Sequence, residues 1–267
     1  MPTEISQRCR AISPSATLTV DAKAKAMRAE GIDVIGFAAG EPDFDTPETI
    51  KQAAIAALGK NQTHYAPNQG TAALRKAIAD FETARGNDTK PENVLVTIGA
   101  CHALFTALFG ILNPGEEVIV PSPYFPEYKV FIEGAGAKMV LIPPEIEAFQ
   151  IDFAAFEAAL NPNTKAVIIN TPNNPTGVVY SQATIQKLAQ VLEEKSREYG
   201  HTIYLIADEP YRELAYDGVE VPYPTLYYPD TLVCYSFSKS ISLPGERIGY
   251  ILVSPTASEK AAVYAAI

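Results

Sequence analysis

From about residue 46 to the end of the chain, short β-branched apolar runs alternate with longer stretches of mixed polar and apolar residues. That alternation predicts an α/β fold, mostly parallel strands joined by helices that cross over the sheet. Seven strand-like runs stand out: NVLVTI (93 to 98), EVIVP, AKMVLIP, KAVIIN, TIYLIAD, TLVCYSF and ERIGYILVS. Helices are predicted over DTPETIKQAAIAALG, over Thr71 to Arg85, over HALFTALFGIL and over SQATIQKLAQVLEEKSREYG. In the first of these Thr46 is expected to cap, Pro47 to sit in the first turn and Gly59 to supply a left-handed stop. Upstream the pattern changes: TVDAKAKAMRAEG predicts a helix leading to the short run DVIGFAAG and a Pro/Asp-rich turn. Residues 1–45 are therefore expected to form a separate layer and residues 46–267 the α/β domain.

Composition narrows the function classes. Of 267 residues, 47% are hydrophobic and 19% charged, as in soluble globular proteins. The 21 Lys and Arg against 31 Asp and Glu give a formal charge of -10, without a basic cluster, which argues against nucleic acid and anionic membrane partners. The most apolar stretch, Ala103 to Leu112, is too short to span a bilayer, and MPTEISQRCR lacks the apolar core of a leader, so a cytoplasmic protein is expected. Cys9, Cys101 and Cys234 form no CxxC pair, and with only His64, His102 and His201 no metal centre is expected.

In open parallel sheets ligands collect at the carboxyl ends of the strands. After NVLVTI come Gly99, Ala100 and Cys101, a tight turn into a helix whose first N–H groups could receive an anion. KAVIIN is followed by TPNNPTG (171 to 177), a turn-rich segment that could also be plain loop chemistry. TIYLIA is followed by DEPY (208 to 211), and TLVCYSF by Ser238 and Lys239. Four strand ends thus offer an anion cradle, an amide, a carboxylate with a phenol, and an amine with hydroxyls. Together these complement one small molecule carrying a phosphate, a ring nitrogen, a phenolic oxygen and an aldehyde.

NTPNNPTG, ADEPY and SFSKSISLPGERIG, in that order, together with FAAGEPDFDTP and HYAPNQG, resemble the class I/II pyridoxal-phosphate-dependent aminotransferases of the aspartate aminotransferase superfamily. The resemblance implies the large domain of pyridoxal phosphate fold type I, a seven-stranded-type sheet with helices on both faces, preceded by the start of a small domain. It implies pyridoxal phosphate as cofactor, with Lys239 as the Schiff-base lysine that also carries a proton, Asp208 paired with the ring nitrogen, and Tyr211 and Asn174 on the 3′-oxygen. Arg247, Ser236, Ser238 and the Ala100 and Cys101 amides correspond to the phosphate site, with Cys101 standing where a hydroxyl residue is common. Phe125 corresponds to the aromatic stacked on the ring, with Tyr124 as competitor for that place. Gly40 and Asn174 correspond to substrate contacts. Tyr65 corresponds to a tyrosine reaching the neighbouring subunit's phosphate, which implies a homodimer with shared sites.

The activity so implied is ping-pong transamination between an L-amino acid, aspartate or aromatic in type, and a 2-oxo acid such as 2-oxoglutarate. A β-eliminating lyase on the same scaffold uses the same Lys, Asp and Tyr, and a binding module without turnover would keep the cofactor residues alone. Family members continue past the point where this sequence stops, and the arginine that clamps the substrate carboxylate is expected beyond residue 267.

Overall fold

The structure, a computed structural model, describes residues 5–6, 10, 12, 15–37 and 40–267. It divides into two units, Met1–Asp43 and Phe44–Ile267. In the first, helix α1 spans Ala16–Ala29, where Ser15 caps by accepting the Leu18 N–H. Arg28 Nε donates to the Val34 carbonyl at 3.0 Å and so pins the run after the helix. Ala38 and Ala39 of that run lie outside the described residues.

The second unit begins with α2 (Glu48–Gly59) and α3 (Ala72–Thr83), the latter capped by Thr71. Two details differ from the sequence reading. Thr46 does not cap α2, because its hydroxyl donates to the Ser242 carbonyl at 2.5 Å. Gly59 is not the left-handed stop: it is the last helical residue, and positive φ falls on Asn61. The order continues β1 (Val94–Thr97), α4 (Gly99–Ile111), β2 (Glu117–Pro121), α5 (Glu127–Gly134), β3 (Lys138–Ile142), α6 (Phe153–Ala159) and β4 (Thr164–Asn170). Then come α7 (Gln182–Tyr199), β5 (Tyr204–Asp208), β6 (Thr231–Ser236), the short α8 (Phe237–Ser240), β7 (Gly249–Val253) and α9 (Lys260–Ala266).

The strands form one seven-stranded sheet in the order β1-β7-β6-β5-β4-β2-β3. β7 runs antiparallel to both its neighbours and the other pairings are parallel. Because side chains alternate along a strand, each central run feeds two cores. Val167, Ile169, Leu205, Ala207, Val233 and Leu252 pack on one face with Phe156 of α6 and Ile185, Leu188 and Leu192 of α7. Ala166, Ile168, Ile206, Leu232, Cys234 and Ile251 pack on the other with Leu104 and Leu108 of α4, Ile132 of α5 and Val263 of α9. Burying each Val, Leu or Ile contributes roughly 1.5–3 kcal/mol, so the sheet's middle is the rigid floor on which strand ends are held. No described helix is long and apolar enough to cross a membrane.

Candidate active site

Strand register sets the site. Asn170, Asp208 and Cys234 lie side by side where β4, β5 and β6 run out. At the same edge Ser236 and Thr97 both pair with Gly249. Loops leaving these strands therefore rise from one line of backbone.

Asp208 is buried, 5% exposed. Tyr128, on α5, donates its hydroxyl to Asp208 Oδ2 at 2.5 Å, while Oδ1 is buried without a hydrogen-bond partner among the described residues. Burial pushes the Asp208 carboxyl up to about 7; the Tyr128 hydrogen bond opposes that and the neighbouring Glu209 adds to it. Asn170 couples two of the strand ends, donating from Nδ2 to the Asp208 carbonyl at 2.8 Å and accepting the Asn174 N–H at 2.5 Å. Asn174 Nδ2 in turn donates to the Tyr211 hydroxyl at 3.4 Å. Lys239 Nζ lies 6.0 Å from the centre of the Tyr211 ring. Burial, then the charge of Asp208, raises the Tyr211 phenol above its ordinary value.

A second corner suits an anion. No side chain caps the first turn of α4, so the positive end of its dipole is left open beside the guanidinium of Arg247. Gly99 sits at φ +78, and a Cβ there would lie 2.9 Å from Arg247 Nη2, so glycine both permits the turn and leaves room for the guanidinium. Gly249 is more constrained still: its Cβ would fall 2.3 Å from the Tyr235 carbonyl and 2.9 Å from Gly99 Cα. Only glycine lets β6, β7 and the start of α4 close on one another. Arg247 itself adopts φ 55, an unusual backbone state that marks a constrained position. Its Nη1 donates to the Pro244 carbonyl at 2.9 Å. Ser236 caps α8 by accepting the Ser238 N–H, and the two buried hydroxyls are 2.7 Å apart. Cys101 is exposed at the α4 start, its thiol raised by burial of the sulfur and by the charge of Asp208 and lowered by Arg247.

The structure thus brings Ala100, Cys101, Asn174, Asp208, Tyr211, Ser236, Ser238, Lys239 and Arg247 to one sheet edge. Phe125 joins them through its edge contact with Tyr128, centroids 5.6 Å apart. Tyr65 is fully exposed in the turn between α2 and α3. Gly40 belongs to the first unit. Tyr128, Asn170 and Gly249 are participants that strand and turn patterns do not single out. Asn170 carries the clearest sequence signal, a polar residue closing the buried run KAVII.

These features, a seven-stranded mixed sheet with helices on both faces and a Lys, Asp, Tyr, Asn and Arg set at its strand ends, define a fold type I protein. Residues 32–266 match the profile of aminotransferase class I and II, and the chain belongs to that family. It is 41% identical over 249 residues to the probable aspartate/prephenate aminotransferase of Thermus aquaticus, covering 92% of this chain and 63% of the relative. It is 39% identical over 252 residues to the aspartate aminotransferase of Bacillus sp. strain YM-2, with the same coverage of 92% and 63%. Among solved structures, an aminotransferase from Eubacterium rectale superposes with a TM-score of 0.91 at 42% identity, covering 97% of this chain and 67% of that one. Thermus thermophilus aspartate aminotransferase with maleate gives 0.90 at 39%, covering 99% and 67%. The chain spans 63% of the length of these curated relatives. Members of the family use pyridoxal phosphate.

Proposed function

We propose that this chain binds pyridoxal phosphate and, in the whole protein, carries out ping-pong transamination between an aspartate-type or aromatic L-amino acid and a 2-oxo acid such as 2-oxoglutarate. The observation that carries this reading is the unpartnered, buried Oδ1 of Asp208 at the carboxyl end of β5, in the same corner as Tyr211 and Lys239. A protonated ring nitrogen is the partner that such an oxygen lacks, so the residues fit the cofactor.

When bound, the cofactor supplies an electron-poor ring that takes up the electron pair released at the substrate α-carbon. Asp208, ionised by a cation at Oδ1, keeps the ring nitrogen protonated, and Tyr128 holds the carboxylate in orientation. Lys239 Nζ would hold the cofactor covalently, and its free amine would be the base that accepts the substrate α-proton. Tyr211 and Asn174 hydrogen-bond the 3′-oxygen. Arg247, Ser236, Ser238 and the Ala100 and Cys101 amides hold the phosphate, and Phe125 covers the ring. Gly40 and Asn174 would be the substrate contacts. The exposed Tyr65 reaches the partner's phosphate in a cytoplasmic homodimer. The aspartate named for the relatives favours an acidic donor, and the prephenate, itself a 2-oxo acid, belongs on the acceptor side.

The test is incubation of the cofactor-loaded protein with L-aspartate and no acceptor. A single stoichiometric turnover, 2-oxo acid formed per site, supports transfer. Continuous release of pyruvate and ammonia from a cysteine S-conjugate, whose thiolate can leave from Cβ, supplied in place of L-aspartate, would assign the site to elimination instead, and no α-hydrogen exchange on any amino acid would leave a binding module.

A further inference from the structure

Behind the strand end that carries Asp208 lies a buried ion cluster with no direct part in cofactor capture. Strand alternation sends Asp208 toward Tyr128 on one side of the sheet and Glu209 to the other. There Arg212, its side chain 0% exposed, spends every nitrogen on a partner. Nη1 donates to Glu209 Oε2 at 3.1 Å, Nη2 to Glu82 Oε1 at 2.5 Å and to the Tyr250 hydroxyl at 2.7 Å, and Nε to Glu213 Oε1 at 3.0 Å. The guanidinium also lies over the Tyr235 ring, 4.2 Å from its centroid. Glu82, fully buried on α3, accepts two further hydrogen bonds from the hydroxyls of Tyr223 and Tyr250. Glu213 accepts one from Tyr235 at 3.0 Å.

A buried charge cluster is an expensive way to fill space, since apolar residues of equal volume often do as well or better. What it supplies is geometric uniqueness: planar Arg forks fix direction as well as distance. Here the fork ties the turn 209–213 to α3, β6 and β7 at once. Within that turn Tyr211 is bonded directly to Arg212, and Asp208 directly to Glu209, so fixing one pair fixes the other.

We infer that Arg212, clamped by Glu82 from behind, is a positioning residue that sets the height and direction of Tyr211 and Asp208 in the cofactor site. The inference rests on the proposed function for its consequence, and on the geometry of the cluster for its existence. Arg212→Lys keeps a charge and loses the fork, whereas Glu82→Gln keeps shape and loses the countercharge. Both are to be compared with the wild-type chain by amide hydrogen exchange and by equilibrium titration with pyridoxal phosphate. Exchange of the amides of Glu209 and of residues 211–214 is expected to rise at least ~10-fold in both variants, with the β2 and β4 amides unchanged, because a local clamp is released without global unfolding. Pyridoxal phosphate affinity is expected to fall roughly 10-fold, about 1.4 kcal/mol.

Unchanged exchange in the turn overturns the inference. So does a uniform rise across all strands, which would make Arg212 a stability element only. If Arg212→Lys does not fold, Glu82→Gln carries the test alone. Failure of the wild-type chain to take up pyridoxal phosphate would reject the proposed function, while exchange in the turn would still decide the clamp.

Discussion

Asp208→Asn is expected to make the cofactor-free protein more stable at alkaline pH while weakening its hold on pyridoxal phosphate. In the folded chain the Asp208 carboxyl is raised from 3.8 to about 7, mainly by burial. A carboxyl raised in the folded state binds its proton more tightly there than in the unfolded chain. Its contribution to stability is therefore complete below 3.8 and is lost as pH rises toward about 7. Each pH unit in that window is worth about 1.4 kcal/mol, so between about pH 5 and about pH 8 this one group costs the wild-type protein about 3 kcal/mol. Asparagine still accepts from Tyr128 through its carbonyl and carries no charge to desolvate, so the variant escapes that loss. Urea unfolding at the two pH values measures it directly. Wild type is expected to lose about 3 kcal/mol more than Asp208→Asn on the alkaline side, and the variant to bind pyridoxal phosphate at least ~10-fold more weakly. Parallel pH dependence in the two proteins would refute the reasoning, as would a variant less stable than wild type at about pH 8.

Tyr128→Phe removes the hydrogen bond that holds the Asp208 proton equilibrium down, so the carboxyl moves further up and cofactor titration across pH is expected to show affinity lowered roughly 10-fold. An affinity unchanged at all pH values would remove Tyr128 from the site. Gly249→Ala drives a methyl into the Tyr235 carbonyl, and a loss of about 3 kcal/mol or more is expected by urea denaturation. Full stability there would mean that the close approach of β6, β7 and α4 is relaxed in solution. Borohydride reduction of the protein with pyridoxal phosphate is expected to mark the peptide containing Lys239 and to leave a Lys239→Ala variant unmarked; a mark on any other lysine sinks the assignment.

The sheet is legible because its strands are apolar on both faces. Runs such as KAVIIN and TIYLIAD have nothing to do but fill two cores, and each becomes a buried strand. The direction of β7 is not legible, since an apolar run reads the same for a strand entering or leaving the sheet. Thr46 and Gly59 mislead because local capping rules compete with distant partners: the Thr46 hydroxyl finds a carbonyl at Ser242. At the strand ends, Asn170, closing KAVII, is overshadowed by the turn-rich TPNNPTG after it, while Asp208 announces itself as a carboxylate closing an apolar run. Tyr128 does not, because a tyrosine on the inner face of EYKVFIEG looks like ordinary core until its hydroxyl is traced to Asp208. Arg212 reads as surface charge in YRELAYDG, and its burial depends on Glu82, Tyr250 and Tyr235 arriving from elsewhere in the chain.

The two neighbouring acids at the end of β5 share one physical problem and meet it differently. Both Asp208 and Glu209 are fully desolvated, and burial raises each to about 7. Glu209 has its cation inside the fold, because Arg212 lies across the turn and lowers what burial raises. Each acid has one buried oxygen without a hydrogen-bond partner among the described residues, Oδ1 of Asp208 and Oε1 of Glu209, but where Glu209 has a guanidinium Asp208 receives only a phenol from Tyr128. If both sites were merely structural, the same chain economy that placed Arg212 behind Glu209 would put an amide or a cation beside Asp208. The asymmetry is what a binding site requires: one acid secured so that the turn is rigid, and its neighbour kept short of a countercharge so that a cationic ring nitrogen binds there in preference to remaining in water.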